Sequence, residues 1–169
     1  MVDRFQNGGR GFLQADGTGI GKTSQLLVAA ELYHQRTGEP VLIVTENETV
    51  AKGSYVDDTI RLGIDAGHFH VATYRMISQN IPQRFENYMA EGKLKRIPAE
   101  GQYGLVMFDE AHNLKNANAQ KSMAAAAFIQ GADHLVFATA TPMDKVTGAV
   151  YFLSEVTGMD KNEVADMLR

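Results

Sequence analysis

A glycine-rich segment that ends in Gly-Lys-Thr is the part of the sequence with the most specific chemistry. It lies between a short apolar run, residues 11–13, and a long helical pattern. Backbone N–H groups of such a turn can converge on a phosphate, and the N-terminus of the following helix adds partial positive charge. Lys22 can then reach the β- and γ-phosphates, and the Thr23 hydroxyl can ligate Mg²⁺. The sequence therefore predicts a nucleoside triphosphate bound by Asp16, Gly17, Thr18, Gly19, Ile20, Gly21, Lys22 and Thr23.

Two carboxylates form the second candidate for chemistry. Residues 105–108 are apolar and read as a buried strand, and Asp109, Glu110 and His112 follow it. In a phosphate-loop protein, Asp109 would hold Mg²⁺ through water and so neutralise charge on the phosphates. Glu110 would orient or deprotonate the attacking water. The alternative is a strand that ends in solvated acids, and the phosphate loop and His112 together argue against it.

The third candidate is the run Thr139-Ala140-Thr141-Pro142, which follows the apolar residues 134–138. Hydroxyls at the end of a strand can contact groups that respond to the γ-phosphate, or can bridge to residues 109–112. Taken alone, the run is equally typical of a strand that leaves through a proline-stopped turn. Its position after the other two motifs favours a functional role.

These candidates must be positioned by alternating strands and helices. Short apolar, β-branched runs predict strands at residues 11–15, 41–45, 69–73, 104–108 and 134–138. Amphipathic patterns predict helices at residues 22–35, 49–62, 82–91, 116–129, 144–156 and 161–168. The last helix has a capping box in Asp160 and Glu163. Apolar strands separated by helices predict a three-layer α/β/α fold with a mostly parallel sheet, and ligands bind such sheets at the carboxyl ends of the strands.

Length and composition set the class of protein. The chain has 169 residues, no cysteine and a net charge of −4. This length suits one domain, and the absence of cysteine fits a reducing, cytoplasmic compartment. No apolar run is long enough to span a bilayer, so no membrane partner is expected. The acidic balance argues against a strongly basic nucleic-acid module, although local patches could still bind nucleic acid.

The motifs together resemble those of Swi/Snf-like ATPases within helicase superfamily 2. Residues 15–23, ADGTGIGKT, are similar to the ADEMGLGKT loop of that family, which also has Asp at its first position. Residues 109–116, DEAHNLKN, resemble the DEAH box, and residues 138–142, ATATP, resemble the Ser/Thr-Ala-Thr motif. Residues 41–45 and 72–74 are weaker matches, and resemble two further motifs of that family that contact nucleic acid. The loop is also similar to helicase modules of the strawberry-notch type and of phage or plasmid methylase–helicase fusions.

The resemblance implies a RecA-like lobe, a phosphate-loop NTPase that hydrolyses ATP with Mg²⁺ to move along, or remodel, duplex DNA. It implies coupling of the phosphate state to nucleic acid or to a second lobe by His112, Thr139 and Thr141. It also implies weaker contacts with nucleic acid by Thr73, Tyr74 and Arg75.

Three departures from the family pattern change the expectations. Glu46-Asn47-Glu48 stands where the family has proline and neutral or basic residues, which argues against a phosphate contact there. No upstream glutamine motif is recognisable. We expect the second RecA-like lobe, with its arginine finger, to lie outside residues 1–169, and such a finger is worth roughly 10³–10⁵ in rate. We therefore expect residues 1–169 to be one lobe of a larger motor, with slow or absent turnover on its own.

Other interpretations stay open at this point. The chain could be a nucleotide-dependent interaction module that docks on a partner protein, or a small-molecule kinase. His68 and His70 could share a metal, although polar residues at a strand edge are the simpler interpretation. Lys93, Lys95 and Arg96 could contact phosphates, or could lie in a solvated loop.

Overall fold

A single parallel sheet forms the centre of the chain. The computed structural model describes residues 1, 5, 7–16, 21–78, 103–114, 120–140 and 146–168. Within them the strands are β1 (Gly11–Gln14), β2 (Val41–Thr45), β3 (Phe69–Thr73), β4 (Leu105–Phe108) and β5 (His134–Ala138). Their order is β1-β5-β4-β2-β3, and every pairing is parallel. All five predicted strands are confirmed to within one residue at each end.

Helices follow the strands in the predicted alternation. They are α1 (Lys22–Thr37), α2 (Glu48–Lys52), α3 (Ser54–Leu62), α4 (Tyr74–Ser78), a 3₁₀ turn (Ala111–Leu114), α5 (Gln120–Gly131), α6 (Val146–Thr157) and α7 (Lys161–Met167). The capping box of Asp160 and Glu163 at the start of α7 is confirmed. The helix predicted at residues 82–91 lies outside the described residues. None of the helices in the described ranges combines the length and apolar character that a bilayer crossing requires.

Two helices replace the single one predicted at residues 49–62, because the helix is interrupted at Gly53. A Cβ at Gly53 would lie 2.8 Å from the carbonyl oxygen of Thr49, so only glycine fits this close approach. Before the break, Asn47 caps α2 by accepting a hydrogen bond from the Val50 N–H at 3.0 Å. Glu48 follows in the first turn, where a carboxylate is favourable. The acidic run at residues 46–48 is therefore a helix start.

The core lies on both faces of the sheet, because alternate strand residues point in opposite directions. In β2, Leu42 and Val44 belong to one buried cluster, with residues of α4, α5 and α6. Val41 and Ile43 belong to the other cluster, with residues of α1, α2 and α3. The three-layer α/β/α fold is thus confirmed.

Candidate active site

The end of β1 leads into the predicted phosphate loop. Gln14, the last residue of β1, donates from Nε2 to Asp16 Oδ2 at 2.9 Å and also to Gln25 Oε1 in α1. The Lys22 side chain is buried, and its Nζ donates to the Asp16 carbonyl oxygen at 3.3 Å. The two ends of the loop are thereby tied together, while Gly17, Thr18, Gly19 and Ile20 lie outside the described residues.

The N-terminus of α1 is suited to an anion. Gly21, the residue before the helix, has φ 79°, a left-handed conformation that favours glycine. Within the described residues, no side chain caps this end of α1, and its first turn contains no acid. The first N–H groups of a helix lack partners inside it and carry partial positive charge. With the Lys22 ammonium and the half-buried Thr23 beside them, they can stabilise a phosphate.

Asp109 lies at the end of β4 with its carboxylate held by several donors. Oδ2 accepts a hydrogen bond from the Tyr55 hydroxyl at 3.0 Å and a longer one from the Thr45 hydroxyl at 3.4 Å. Oδ1 accepts from the Glu110 N–H at 3.0 Å. The backbone is also fixed, because the Tyr74 hydroxyl donates to the Asp109 carbonyl oxygen at 2.8 Å. The carboxylate is therefore pre-oriented before any ligand binds.

Several neighbouring groups shift the pKa of the Asp109 carboxyl. Burial raises the pKa of the Asp109 carboxyl, the hydrogen bond from Tyr55 opposes this, and the neighbouring Glu110 raises it further. The Lys22 ammonium also lowers the pKa of Asp109, so the two charges act on each other. The burial of Tyr55 raises its own pKa well above the usual value, so its hydroxyl remains a proton donor.

A magnesium ion fits the chemistry of this donor set. Mg²⁺ prefers oxygen ligands, keeps several waters, and is commonly held by one or two carboxylates together with substrate phosphates. Asp109 supplies a carboxylate, of which Oδ1 has one protein donor in the described structure. Thr23 supplies a hydroxyl at the start of α1. No cluster of three or more metal-binding His, Cys, Asp or Glu side chains occurs among the described residues, so the metal would need water and phosphate ligands.

The burial of Asp109 predicts that its charge destabilises the fold. Because its pKa is raised above 3.8, the folded state binds the proton more tightly than the unfolded chain does. Ionisation therefore costs folding free energy at neutral pH, by about 1.4 kcal/mol for each unit of elevation. We expect Asp109→Asn to unfold at a higher temperature than the parent at pH 7, without nucleotide or metal.

The gain should shrink as the pH falls towards the usual pKa of an aspartate, because the parent's carboxyl then takes up its proton and loses its cost. Thermal unfolding followed by circular dichroism at neutral and acid pH measures this. Asp57→Asn, at an exposed position in the first turn of α3, is the matched control and should not raise the stability, because it loses only a favourable helix N-terminal interaction of about 0.3–1 kcal/mol. An Asp109→Asn variant less stable than the parent at pH 7 would contradict the prediction.

Glu110 has an unusual backbone. Its φ is 49°, in the left-handed region, which costs a residue with a side chain about 1–2 kcal/mol. The Asn113 backbone N–H and Nδ2 both donate to the Glu110 carbonyl oxygen, at 3.1 and 3.0 Å, and hold the turn. The Glu110 carboxylate is half-buried, and its Oε2 lies 3.2 Å from Nδ1 of the more exposed His112. This places an acid and an imidazole together beside Asp109.

Thr139 connects the end of β5 to the end of β1. It is fully buried, and its N–H donates to the Gln14 carbonyl oxygen at 3.0 Å. The strand tips that carry the first and third motifs are therefore bonded directly. Thr141 lies outside the described residues.

The candidate nucleic-acid residues differ in exposure. Thr73 and Tyr74 are buried, and only Arg75 of the three is exposed. A contact by the side chains of Thr73 and Tyr74 would require them to leave the core. Arg75 is thus the residue of this group that a nucleic acid can reach. His68 and His70 have other partners: His68 Nδ1 lies 2.8 Å from Glu31 Oε2, and His70 Nδ1 lies 3.3 Å from the Tyr103 hydroxyl.

Sequence reasoning missed Gln14, Thr45 and Tyr55. The sequence pattern could have identified Thr45, because it is the last residue of β2 and β2 pairs with β4. A polar side chain at that end of a neighbouring strand must lie near Asp109. Tyr55 gives no such signal, because it looks like one more buried aromatic residue of a helix.

The similarity of this chain to known proteins lies in its structure, since sequence comparison gives no match. No family model matches the sequence. No curated protein matches it. Among solved structures, the SWI2/SNF2 ATPase core of Sulfolobus solfataricus in complex with dsDNA matches 96% of this chain at 16% identity and a TM-score of 0.66. The UvsW helicase from bacteriophage T4 matches 92% at 16% identity and a TM-score of 0.55.

The match covers only part of each of these proteins. The chain corresponds to 36% of the SWI2/SNF2 chain and 51% of the UvsW chain. At this level of identity the likeness concerns the fold. The chain therefore shares with these two structures the fold of a parallel sheet flanked by helices.

Proposed function

We propose that this chain is the ATP-binding first lobe of a Swi/Snf-like superfamily 2 DNA helicase or translocase. The main support is that Lys22 begins the helix after β1 and Asp109 directly follows β4, so both lie at the carboxyl ends of parallel strands, where such sheets bind ligands. The likeness in fold to the two helicase structures agrees with this proposal. A small-molecule kinase has no such support.

Binding of ATP is assigned to the loop and the start of α1. The residues are Asp16, Gly17, Thr18, Gly19, Ile20, Gly21, Lys22 and Thr23. Lys22 stabilises the β- and γ-phosphates, and the helix N-terminus adds backbone donors. The hydrogen bond from Lys22 to the Asp16 carbonyl oxygen holds the ammonium at the loop before the nucleotide arrives.

Hydrolysis is assigned to the turn after β4. Mg²⁺, when bound by Thr23 and Asp109, would neutralise charge on the phosphates. The Glu110 carboxylate is assigned to orient the attacking water or to accept its proton, and its side chain is exposed enough for water to reach it. His112 Nδ1 lies 3.2 Å from that carboxylate and its side chain is more exposed. A change in the charge or position of Glu110 can therefore reach the protein surface through His112.

Coupling to movement is assigned to His112, Thr139 and Thr141. Thr139 is bonded to the backbone of Gln14, two residues before Asp16, so a shift of the loop reaches the β5 tip directly. In the full motor we propose that a second RecA-like lobe completes the site with an arginine finger.

Duplex DNA is the proposed track, and its binding should depend steeply on salt. Each phosphate that a Lys or Arg neutralises adds about 0.9 to the negative slope of log affinity against log salt. We expect the parent to bind a fluorescent duplex in this manner, or to raise its ATP turnover with duplex. Arg75→Ala should weaken binding about equally for all sequences and reduce the slope by about 1.

Lys52→Ala is the matched control, because Lys52 is an exposed cation that pairs with Glu48 within α2. It should leave the slope unchanged. A chain that binds Mg-ATP but ignores DNA at every salt concentration would favour the nucleotide-dependent interaction module.

A further inference from the structure

A buried tyrosine outside the recognised motifs contacts the proposed metal-binding carboxylate. Tyr55 lies in the first turn of α3 with 1% of its surface exposed. Its hydroxyl donates to Asp109 Oδ2 at 3.0 Å. A buried hydroxyl that meets a carboxylate forms a charge-assisted hydrogen bond, which is stronger than a neutral one.

Tyr55 is the closer side-chain donor to that carboxylate. Thr45 reaches the same oxygen at 3.4 Å, near the limit of a hydrogen bond. The other oxygen, Oδ1, accepts a hydrogen bond from the backbone N–H of Glu110. One hydrogen bond alone does not fix the plane of the carboxylate, so a second one is needed. The Tyr55 hydroxyl supplies that second hydrogen bond, so the plane of the carboxylate depends on it.

The helix that carries Tyr55 is itself fastened to α1. Ser24, the residue after Thr23, donates to Asp58 Oδ2 at 2.6 Å. Arg61 donates from Nη2 to both Ser24 Oγ and Asp58 Oδ1, at 2.9 and 2.8 Å. One turn of α3 thus contacts the start of α1, and another contacts Asp109. The spacing between the phosphate-binding helix and the carboxylate is fixed through α3.

We propose that Tyr55 is a positioning residue that orients the Asp109 carboxylate towards the magnesium of a bound nucleotide. The inference rests on the proposed function of the site. This role requires no direct contact of Tyr55 with the metal or the phosphates. Tyr55 acts through Asp109, as outer partners of metal ligands commonly do, and the loss of such partners costs about 10- to 100-fold in metal affinity.

The test compares nucleotide affinity with and without magnesium. A fluorescent, non-hydrolysable ATP analogue is titrated into the 169-residue chain in Mg²⁺ and in EDTA. For Tyr55→Phe we expect affinity in EDTA to match the parent, and the gain from Mg²⁺ to fall about tenfold. A purely structural loss would weaken both affinities together.

Tyr103→Phe is the matched control. It removes another buried tyrosine hydroxyl, which lies 3.3 Å from His70 Nδ1 at the opposite end of β4 from Asp109. It should retain the full gain from Mg²⁺, and thermal unfolding should show a similar stability loss in both variants. If Tyr55→Phe does not fold, Thr45→Val removes the other donor to Oδ2 and should reduce the gain by a smaller factor.

The outcomes separate the inference from the proposed function. A parent with a gain from Mg²⁺ and a Tyr55→Phe variant with the same gain would overturn the positioning role alone. An equal loss in Tyr103→Phe would also overturn it, since the effect would not depend on a contact with Asp109. A parent that binds the analogue without any effect of Mg²⁺ would overturn the proposed metal site and this inference with it.

Discussion

Replacement of Lys22 by alanine is expected to abolish nucleotide binding. Lys22 is buried, with 8% of its surface exposed, and its ammonium lies at the loop that is proposed to hold the triphosphate. Removal of one partner from a desolvated charge pair costs about 3–5 kcal/mol. That corresponds to a loss of about 10²- to 4 × 10³-fold in affinity. Fluorescence titration with a labelled ATP analogue in Mg²⁺ measures it.

Lys52→Ala provides the control for this loss. It removes a lysine of the same chain whose side chain is exposed and pairs only at the surface with Glu48, an interaction of about 0–1 kcal/mol. Its affinity for the analogue should equal that of the parent. Circular dichroism shows whether Lys22→Ala remains folded. A folded Lys22→Ala variant that binds the analogue as tightly as the parent does would refute the phosphate-loop assignment.

Local sequence patterns were sufficient for most of the fold. The strands of a covered parallel sheet are continuously apolar, so residues such as Val41 to Val44 and Leu105 to Phe108 are recognisable without structural data. The helix break at Gly53 was not, because it depends on the distance to the Thr49 carbonyl oxygen. Helix α4 was missed for another reason: it has only five residues, directly after a strand, and so short a segment does not show a helical repeat of apolar residues.

The site shows the same division between local and tertiary information. Lys22, Asp109 and Thr139 were predicted, because each follows a strand in an expected pattern. The hydrogen bonds that each of them makes with other residues were not predictable. The contact of Tyr55 with Asp109 joins residues 54 positions apart in sequence, through a helix whose packing no local pattern specifies. The positive φ of Glu110 likewise arises from the turn as a whole, since glutamate has no preference for it.

Replacement of Glu110 by glutamine is expected to stop hydrolysis and preserve ATP binding. Glutamine has nearly the same shape, so the turn held by Asn113 should persist. It cannot accept a proton from water, and the loss of a general base lowers the rate about 10²- to 10⁴-fold. Hydrolysis of radiolabelled ATP with protein in excess, followed over hours, detects even slow turnover. Affinity is measured on the same preparation.

Glu48→Gln is the matched control, because Glu48 is an exposed carboxylate in α2 whose only described ion pair is with Lys52. It should hydrolyse ATP at the parent's rate. A Glu110→Gln variant that retains this rate would assign the proton transfer to another group. Loss of binding together with turnover would instead place Glu110 among the residues that hold the nucleotide. Because Lys22→Ala should fail at binding and Glu110→Gln only at chemistry, the pair separates the two halves of the site.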